Sequence, residues 1–171
     1  MEALQLSRTD DCINEQMELY GDMVFRIGIL YLRNKMDAED VFQEVFIKLF
    51  STETVFKNEE HLKAWLITTT TNQCKNILRS AWRKRIAALD ELCAVTEAEY
   101  GAVESGLFKE LLNLPLKYMR VIFLYYYEGY KSEEIGQMLN ISPATVRIHM
   151  KRGRDMLKTK FLKGDTTYET V

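Results

Sequence analysis

The stretch "SPATVRIHMKRGR" near the C-terminus combines a helix start with a dense set of hydrogen-bond donors. Ser142 is a favourable N-cap and Pro143 suits the first helical position, so the pattern predicts a helix that begins here. Three apolar residues recur at spacings of four and seven and predict its buried stripe: Val146, Met150 and Leu157. Cationic or imidazole side chains cover the other faces: Arg147, His149, Lys151, Arg152 and Arg154. Such a surface would suit phosphates.

The segment before this helix predicts a shorter helix, capped by Ser132, with Ile135 and Leu139 facing inward. A turn from Asn140 to Ser142 separates the two, and a short turn followed by a basic helix indicates a helix-turn-helix. In that motif the second helix meets base edges near its N-terminus and phosphates on its flanks. The candidate base readers are Thr145, Arg147, Ile148 and Lys151. The candidate phosphate contacts are His149, Arg152 and Arg154.

A second basic block has a different chemistry. Residues 61–89 hold six Lys and Arg and no acidic residue. Five polar side chains recur there at spacings of three and four: Asn72, Lys75, Asn76, Arg79 and Arg83. Amides can bond base edges and cations neutralise phosphate, so this helix would suit separated bases as well as a backbone. Phe56 in the adjoining loop is the candidate aromatic platform, and the run Thr68–Thr71 favours a functional role over a purely structural one.

The net charge of −2 conceals an alternation of sign. Residues 1–60, 61–89, 90–113 and 114–171 carry net charges of −7, +6, −5 and +4. No long apolar run or secretory leader is present, which predicts a cytoplasmic protein without membrane insertion. The three Cys are widely spaced and predict packing residues rather than disulfides or a zinc site.

Enzymatic chemistry has little support in the sequence. Only two His are present, and the common nucleotide-binding, hydrolase and metalloprotease motifs are missing. Asp40 and Glu44 lie four residues apart on a helix face with Gln43, and acidic faces without a histidine are more often contact surfaces. We therefore expect a non-enzymatic protein with no cofactor and no metal site.

Periodicity predicts an all-α fold of two small helical domains joined by a linker. In the first domain we expect helices over residues 12–33, 37–50, capped by Asp37, and 60–84, with a loop at 51–60. Two further helices, one ending before Pro115 and one near Gly129, precede the helix-turn-helix. The predicted boundaries are 8–85 for the first domain, 86–104 for an acidic linker, 105–163 for the second domain and 164–171 for a tail.

Three motifs carry a family resemblance: "AEDVFQEVFIKLF" (38–50), "AWLITTTTNQCKNILR" (64–79) and the segment from "LPLKYMRVIF" to "GRDMLK" (114–158). In order and spacing they resemble regions 2 and 4 of the sigma-70 family, specifically its short extracytoplasmic-function group. The resemblance implies a bacterial transcription initiation factor that binds core RNA polymerase and directs it to promoters. Region 2 would recognise and help melt the −10 element, and region 4 would read the −35 element.

The resemblance also implies roles for residues. Contacts with the beta-prime clamp helices of polymerase would come from Asp40, Gln43 and Glu44. Contacts with the −10 element would come from Phe56, Lys57, Asn58, Asn72, Lys75, Asn76, Arg79 and Arg83. Contacts with the −35 element would come from Thr145, Arg147, Ile148, His149, Lys151 and Arg152. Further implied partners are the beta flap of polymerase, promoter DNA and an anti-sigma factor.

Two other classes of protein fit parts of the pattern. One is an autonomous DNA-binding regulator whose N-terminal domain senses a ligand or dimerises, although such a domain has no reason to carry the acid-free basic helix. The other is an adaptor that binds protein through its amphipathic helices and nucleic acid only incidentally.

Overall fold

The computed structural model describes residues 10–87 and 106–164, with side chains described over 14–80 and 110–159 and at Phe108. The helices are α1 (Asp10–Leu32), α2 (Lys35–Ser51), α3 (Glu59–Ala87), α4 (Gly106–Leu112), α5 (Leu116–Tyr126), α6 (Ser132–Leu139) and α7 (Pro143–Gly164). No strand occurs in the described ranges. The chain divides into an N-terminal unit containing α1–α3 and a C-terminal unit containing α4–α7. The all-α prediction is confirmed; the predicted linker falls largely, and the tail almost wholly, outside the described residues.

The N-terminal unit is a three-helix bundle in which a two-residue connection makes α1 and α2 antiparallel neighbours. Asn34 caps α2, since its Oδ1 accepts a hydrogen bond from the Asp37 backbone N–H at 3.0 Å. The prediction that Asp37 caps this helix is therefore wrong by one turn. Lys35 and Met36 already continue the helix, and Asp37 instead places its carboxylate in the first turn, where the helix dipole favours it.

The core of this unit is formed by apolar residues that recur at helical spacing. Its buried residues include Val24, Ile27 and Leu30 of α1, Val41, Val45 and Leu49 of α2, and Leu62 and Leu66 of α3. Three threonines of α3 are also buried, and the hydroxyl of Thr70 donates to the backbone carbonyl of Leu66 at 2.7 Å. The expected functional role is therefore wrong for Thr69, Thr70 and Thr71, which pack in the core, and the Thr70 hydroxyl finds its acceptor within the helix; Thr68 is half-buried.

Cysteine behaves as expected where its side chain is described. Cys74 is completely buried, and this burial raises the pKa of its thiol to about 12. The thiol is therefore a packing group rather than a nucleophile. The side chains of Cys12 and Cys93 lie outside the described side chains.

The helix-turn-helix of the C-terminal unit depends on a close backbone approach. Asn140 adopts a left-handed conformation (φ +54°), and the Ile141 N–H bonds the Gly136 carbonyl at 3.0 Å. A Cβ at Gly136 would lie 2.8 Å from the Ile141 carbonyl oxygen, so only glycine fits at this point of the turn. Because of this contact, the turn between α6 and α7 is short and its geometry is fixed.

The ends of the two helices are capped differently. Ser142 caps α7 as predicted, since its Oγ accepts the Thr145 N–H at 3.1 Å. At α6, however, Ser132 is the first helical residue and not the predicted cap. The N-cap is Lys131, whose backbone N–H donates to Oε2 of Glu134 at 2.7 Å, which is the contact that the third helical residue makes in a capping box.

Candidate nucleic-acid and protein interfaces

The outer surface of α7 presents four of the predicted −35 residues to solvent: Arg147, Ile148, Lys151 and Arg152. Three predicted apolar residues of the same helix are buried against α5 and α6: Val146, Met150 and Leu157. Ile148 is 52% exposed, which is high for a β-branched apolar residue on a helix with a buried stripe. We call these four exposed residues the α7 surface.

Arg147 has a partner from the other helix of the motif. Its Nη1 lies 3.3 Å from Oε1 of Glu133 on α6, and both side chains are more than half exposed. An exposed pair of this kind adds only about 0–1 kcal/mol to the free energy of unfolding. Its main consequence is the position that it gives to the guanidinium group.

Arg152 is held from the opposite side, by α5. Hydrogen bonding from Arg152 is the main cause that lowers the pKa of the Tyr118 hydroxyl. The Tyr118 ring is 8% exposed and stands edge-on to the imidazole of His149, with ring centroids 5.5 Å apart. Arg152 therefore lies close to the Tyr118 hydroxyl of α5.

His149 differs from the other predicted −35 residues because it is half-buried. Burial, followed by the positive charges of Arg120, Lys117 and Arg152, lowers the pKa of its imidazole. The neutral form is therefore favoured, and a cationic contact from His149 to a phosphate is disfavoured. The residue packs on α5 more than it faces solvent.

Two further residues of α7 that the sequence predicted as DNA contacts have partners within the C-terminal unit. The hydroxyls of Thr145 and Ser142 lie 2.8 Å apart, and Nη1 of Arg154 lies 3.4 Å from the Tyr126 hydroxyl. Sequence reasoning missed the partners Glu133, Tyr118 and Tyr126. Their separations of 14 to 34 residues from the groups they hold carry no periodic signal, and only the fold brings them together.

The exposed face of α3 contains Asn72, Asn76 and Arg79, at spacings of four and three. We call these residues the α3 face. Lys75 is half-buried beside them, and the side chain of Arg83 lies outside the described side chains. The amides and the cation expected from the sequence therefore share one side of the helix.

Phe56, the predicted aromatic platform, is completely buried. Its ring stands edge-on to Trp65 and to His61, at centroid distances of 5.7 and 5.6 Å. The prediction of an exposed stacking platform is therefore wrong for this conformation. The loop between α2 and α3 is short, and burying one large aromatic ring fixes it to the bundle.

Lys57 and Asn58 are exposed beside this anchor. The Oδ1 of Asn58 accepts the His61 N–H at 2.8 Å, which places Asn58 at the N-cap of α3, and the Lys57 N–H donates to Nδ1 of His61 at 3.2 Å. Sequence reasoning missed this cap. The side-chain oxygen of Asn58 therefore caps the helix, which leaves its side-chain amide nitrogen for contacts with other partners.

The predicted polymerase contacts of α2, Asp40, Gln43 and Glu44, are all exposed. We call them the α2 face. Nε2 of Gln73 on α3 donates to Oε2 of Glu44 at 2.6 Å, so the carboxylate is joined to the neighbouring helix. A charge-assisted bond of this length fixes the direction of the Glu44 side chain.

An apolar groove lies beside the α2 face. Its lining residues are Met17, Phe42, Gln43, Phe46, Ile47, Phe50 and Ser51. Phe42 and Phe46 pack with centroids 4.8 Å apart, and Ile47 is 67% exposed. Phe46 is buried, whereas Phe42 and Phe50 are half-buried and add apolar surface beside Ile47. An apolar patch with a charged rim is typical of a protein interface.

The described residues contain neither a membrane-spanning helix nor a metal-binding cluster. No helix there is long and apolar enough to cross a membrane. No group of three or more His, Cys, Asp or Glu side chains is arranged there to hold a metal ion.

Comparison with known proteins shows which family the chain belongs to. Residues 17–84 match the family model of sigma-70 region 2, and residues 107–157 match that of sigma-70 region 4. The chain is 30% identical over 166 residues to the ECF RNA polymerase sigma factor SigW of Bacillus subtilis, and the match covers 86% of this chain and 88% of SigW. The chain is an extracytoplasmic-function sigma factor of the sigma-70 family.

A second sequence relative and one solved structure are also similar to this sigma factor. It is 27% identical over 146 residues to the RNA polymerase sigma factor SigV of Bacillus subtilis, covering 82% of this chain and 86% of SigV. Its fold matches the sigma factor RpoE of Bartonella quintana, solved in complex with the anti-sigma factor NepR. The TM-score is 0.68 at 23% identity, and the match covers 91% and 98% of the two chains.

Family membership decides between the three functional hypotheses drawn from the sequence. This sigma factor is a transcription initiation factor that directs RNA polymerase to promoters, and its partners are core RNA polymerase and promoter DNA. The autonomous regulator and the adaptor are therefore set aside.

Proposed function

We propose that the C-terminal unit of this sigma factor reads the −35 element as duplex DNA through the α7 surface. The observation that carries the proposal is that α7 follows a fixed turn and turns Arg147, Ile148, Lys151 and Arg152 to solvent while its apolar row is buried. Arginine can bond both acceptors of a guanine edge in the major groove, and an exposed isoleucine can contact a thymine methyl. Lys151 supplies charge for the phosphates.

The N-terminal unit in this proposal engages the −10 element through the α3 face and the adjoining loop. Asn72 and Asn76 carry both donors and acceptors, which suits the exposed edges of unpaired bases, and Arg79 neutralises phosphate. Lys57 and Asn58 extend the surface at the start of α3. Lys75 and Arg83 complete the set inferred from the sequence. Phe56 supports the loop from beneath.

Polymerase binds in this proposal at the α2 face and the apolar groove beside it. The exposed Ile47 and the half-exposed Phe42 and Phe50 supply apolar area, and Asp40 and Glu44 supply the charged rim. By family resemblance the partner at this surface is the pair of beta-prime clamp helices. The C-terminal unit meets the beta flap.

The remaining parts of the proposal rest on the family. The protein works in the cytoplasm as a non-enzymatic factor without a cofactor. It is held inactive by an anti-sigma factor, as the Bartonella quintana relative is seen bound to one. The domain boundaries at residues 8–85 and 105–163 are part of the same proposal, and the family-model matches over 17–84 and 107–157 lie within them.

One experiment tests the three surfaces together. The purified chain is mixed with bacterial core RNA polymerase, separated by gel filtration, and assayed by run-off transcription on promoters selected from a randomised library. Asp40→Lys with Glu44→Lys should weaken co-elution about tenfold by charge reversal at a contact. Arg79→Glu should co-elute normally but form fewer open complexes. Arg147→Ala should lose selection at one upstream base pair.

The control for the polymerase surface is Glu15→Lys with Glu53→Lys, which makes the same charge change at exposed positions outside the α2 face and its groove. Equal loss of co-elution in both double variants would mean that net charge, and not the α2 face, governs binding. Normal open-complex formation by Arg79→Glu would remove the α3 face from the proposal.

A further inference from the structure

The ion pair between Glu133 and Arg147 joins the two helices of the helix-turn-helix at their exposed side. Both side chains are more than half exposed, so the pair adds little to stability. Glu133 nevertheless places a negative charge 3.3 Å from the guanidinium group on the surface assigned to DNA. A carboxylate beside a polyanion needs an explanation other than stability.

Two adjacent carboxylates in the first turn of α6 have different roles. Glu134 accepts the Lys131 backbone N–H at 2.7 Å and completes the cap of the helix. Glu133 takes no part in this cap and extends to Arg147 across the motif. The two residues therefore carry the same charge one position apart, but only Glu133 contacts a base-reading candidate.

The chemistry of the pair separates two kinds of ligand for Arg147. A guanidinium has five N–H donors, and the bond from Nη1 to Oε1 of Glu133 uses one of them, so other donors remain for the N7 and O6 of guanine. That base edge is neutral and can be bonded while Glu133 stays in place. A phosphate is an anion, and it must displace Glu133 or lie beside it against like-charge repulsion.

We propose that Glu133 is a specificity-determining residue, which positions Arg147 for a guanine edge and disfavours its use on phosphates of unrelated DNA. The inference rests on the proposed function, in which Arg147 faces the −35 duplex. Glu133 acts through Arg147 and is therefore a positioning residue rather than a base contact. Its removal should change discrimination more than affinity for the preferred site.

The test compares Glu133→Gln with Glu134→Gln in the holoenzyme formed with core RNA polymerase. Both variants remove one negative charge from the same turn, and glutamine at 134 can still accept the Lys131 N–H. The probes are a duplex promoter pool with a randomised upstream hexamer and one duplex of unrelated sequence, each titrated with salt.

For Glu133→Gln we expect discrimination at the base pair read by Arg147 to fall about fivefold or more. Binding to the unrelated duplex should tighten, and its dependence on salt should steepen by about one released counterion, as Arg147 becomes available to a phosphate. Glu134→Gln should keep the discrimination and the salt dependence of the unmodified chain. Equal behaviour of the two variants would overturn the inference.

Arg147→Ala separates failure of the inference from failure of the proposed function. It identifies the base pair that depends on Arg147, and in this background Glu133→Gln should change discrimination no further. If discrimination still falls when Arg147 is absent, Glu133 does not act through it and the inference is wrong. If Arg147→Ala leaves the selected hexamer unchanged, the α7 assignment fails and the inference fails with it.

Discussion

The α7 surface and the α3 face are both proposed to bind promoter DNA, but their side chains are held in different ways. On α7 three arginines have partners from other helices: Glu133 at Arg147, Tyr118 at Arg152 and Tyr126 at Arg154. On the N-terminal unit, by contrast, two short amides stand beside Arg79, and the adjoining loop is fixed from beneath by a buried ring.

This difference corresponds to the ligand that each surface is proposed to bind. A duplex presents its base edges at fixed positions in the groove, so flexible cations benefit from partners that direct them. Separated bases lie against the protein individually, and short amides on a rigid helix need no such direction. The α7 surface should therefore be sensitive to loss of surface partners, and the N-terminal surface should be sensitive to loss of its core.

Phe56→Ala is expected to have the largest effect, because it removes a completely buried ring that anchors the loop. Loss of a buried phenylalanine lowers the free energy of unfolding by about 3–5 kcal/mol. Both tryptophans, Trp65 and Trp82, belong to α3, so tryptophan fluorescence during denaturation reports on the N-terminal unit. The C-terminal unit should keep its stability and its binding to duplex DNA.

An exposed aromatic of the C-terminal unit supplies the control for this variant. Tyr126→Ala removes a ring that is 53% exposed, and we expect little change in the stability of either unit. A loss below about 1 kcal/mol in Phe56→Ala would mean that the loop is not anchored by this ring, and the contrast between the two surfaces would fail.

Asn58 is expected to have an intermediate effect, and two substitutions separate its two proposed roles. Asn58→Ala removes the N-cap of α3 and should lower the free energy of unfolding by about 1 kcal/mol. Asn58→Asp keeps the capping oxygen but removes the amide donor, so it should retain stability while reducing open-complex formation. Normal promoter opening by Asn58→Asp would limit the residue to its structural role.

The smallest expected effect is the contribution of His149 to the pH dependence of stability in the C-terminal unit. Its pKa is lowered in the folded chain, so the unfolded chain binds the proton more readily once the pH falls through its ordinary value of about 6.5. The C-terminal unit should therefore be slightly less stable at pH 5.5 than at pH 7.5, and His149→Gln should reduce this difference. Hydrogen exchange of peptides from α7 measures it, and an unchanged difference would mean that His149 is not the responsible group.

The parts of the fold that were predicted correctly depend on local sequence. Helical periodicity predicts the burial of Val146, Met150 and Leu157. The position of Ser142 before proline predicts that it caps α7. The caps assigned to Asp37 and Ser132 were wrong because a cap depends on where the preceding connection ends. That point is set by packing of the neighbouring helices, which the sequence pattern does not contain.

The sequence predicted which residues form the candidate site, but not the contacts that hold them in position. Exposure of Arg147, Lys151, Asn72 and Arg79 follows from their positions opposite apolar stripes. The burial of Phe56 could not be predicted, because it depends on rings from the following helix meeting a loop without periodicity. The contact between Glu133 and Arg147 likewise depends on the geometry of the turn that separates them.

The hydrogen bond from Gln73 to Glu44 has a consequence for how the affinities of two ligands depend on each other. It connects the helix proposed to meet polymerase with the helix proposed to meet the promoter. Binding free energies that share an element are reciprocal, so any strengthening or weakening of this bond by one ligand changes the affinity for the other by the same factor. If both surfaces are bound as proposed, the Gln73 amide and the Glu44 carboxylate are the groups through which such a linkage would act within the N-terminal unit.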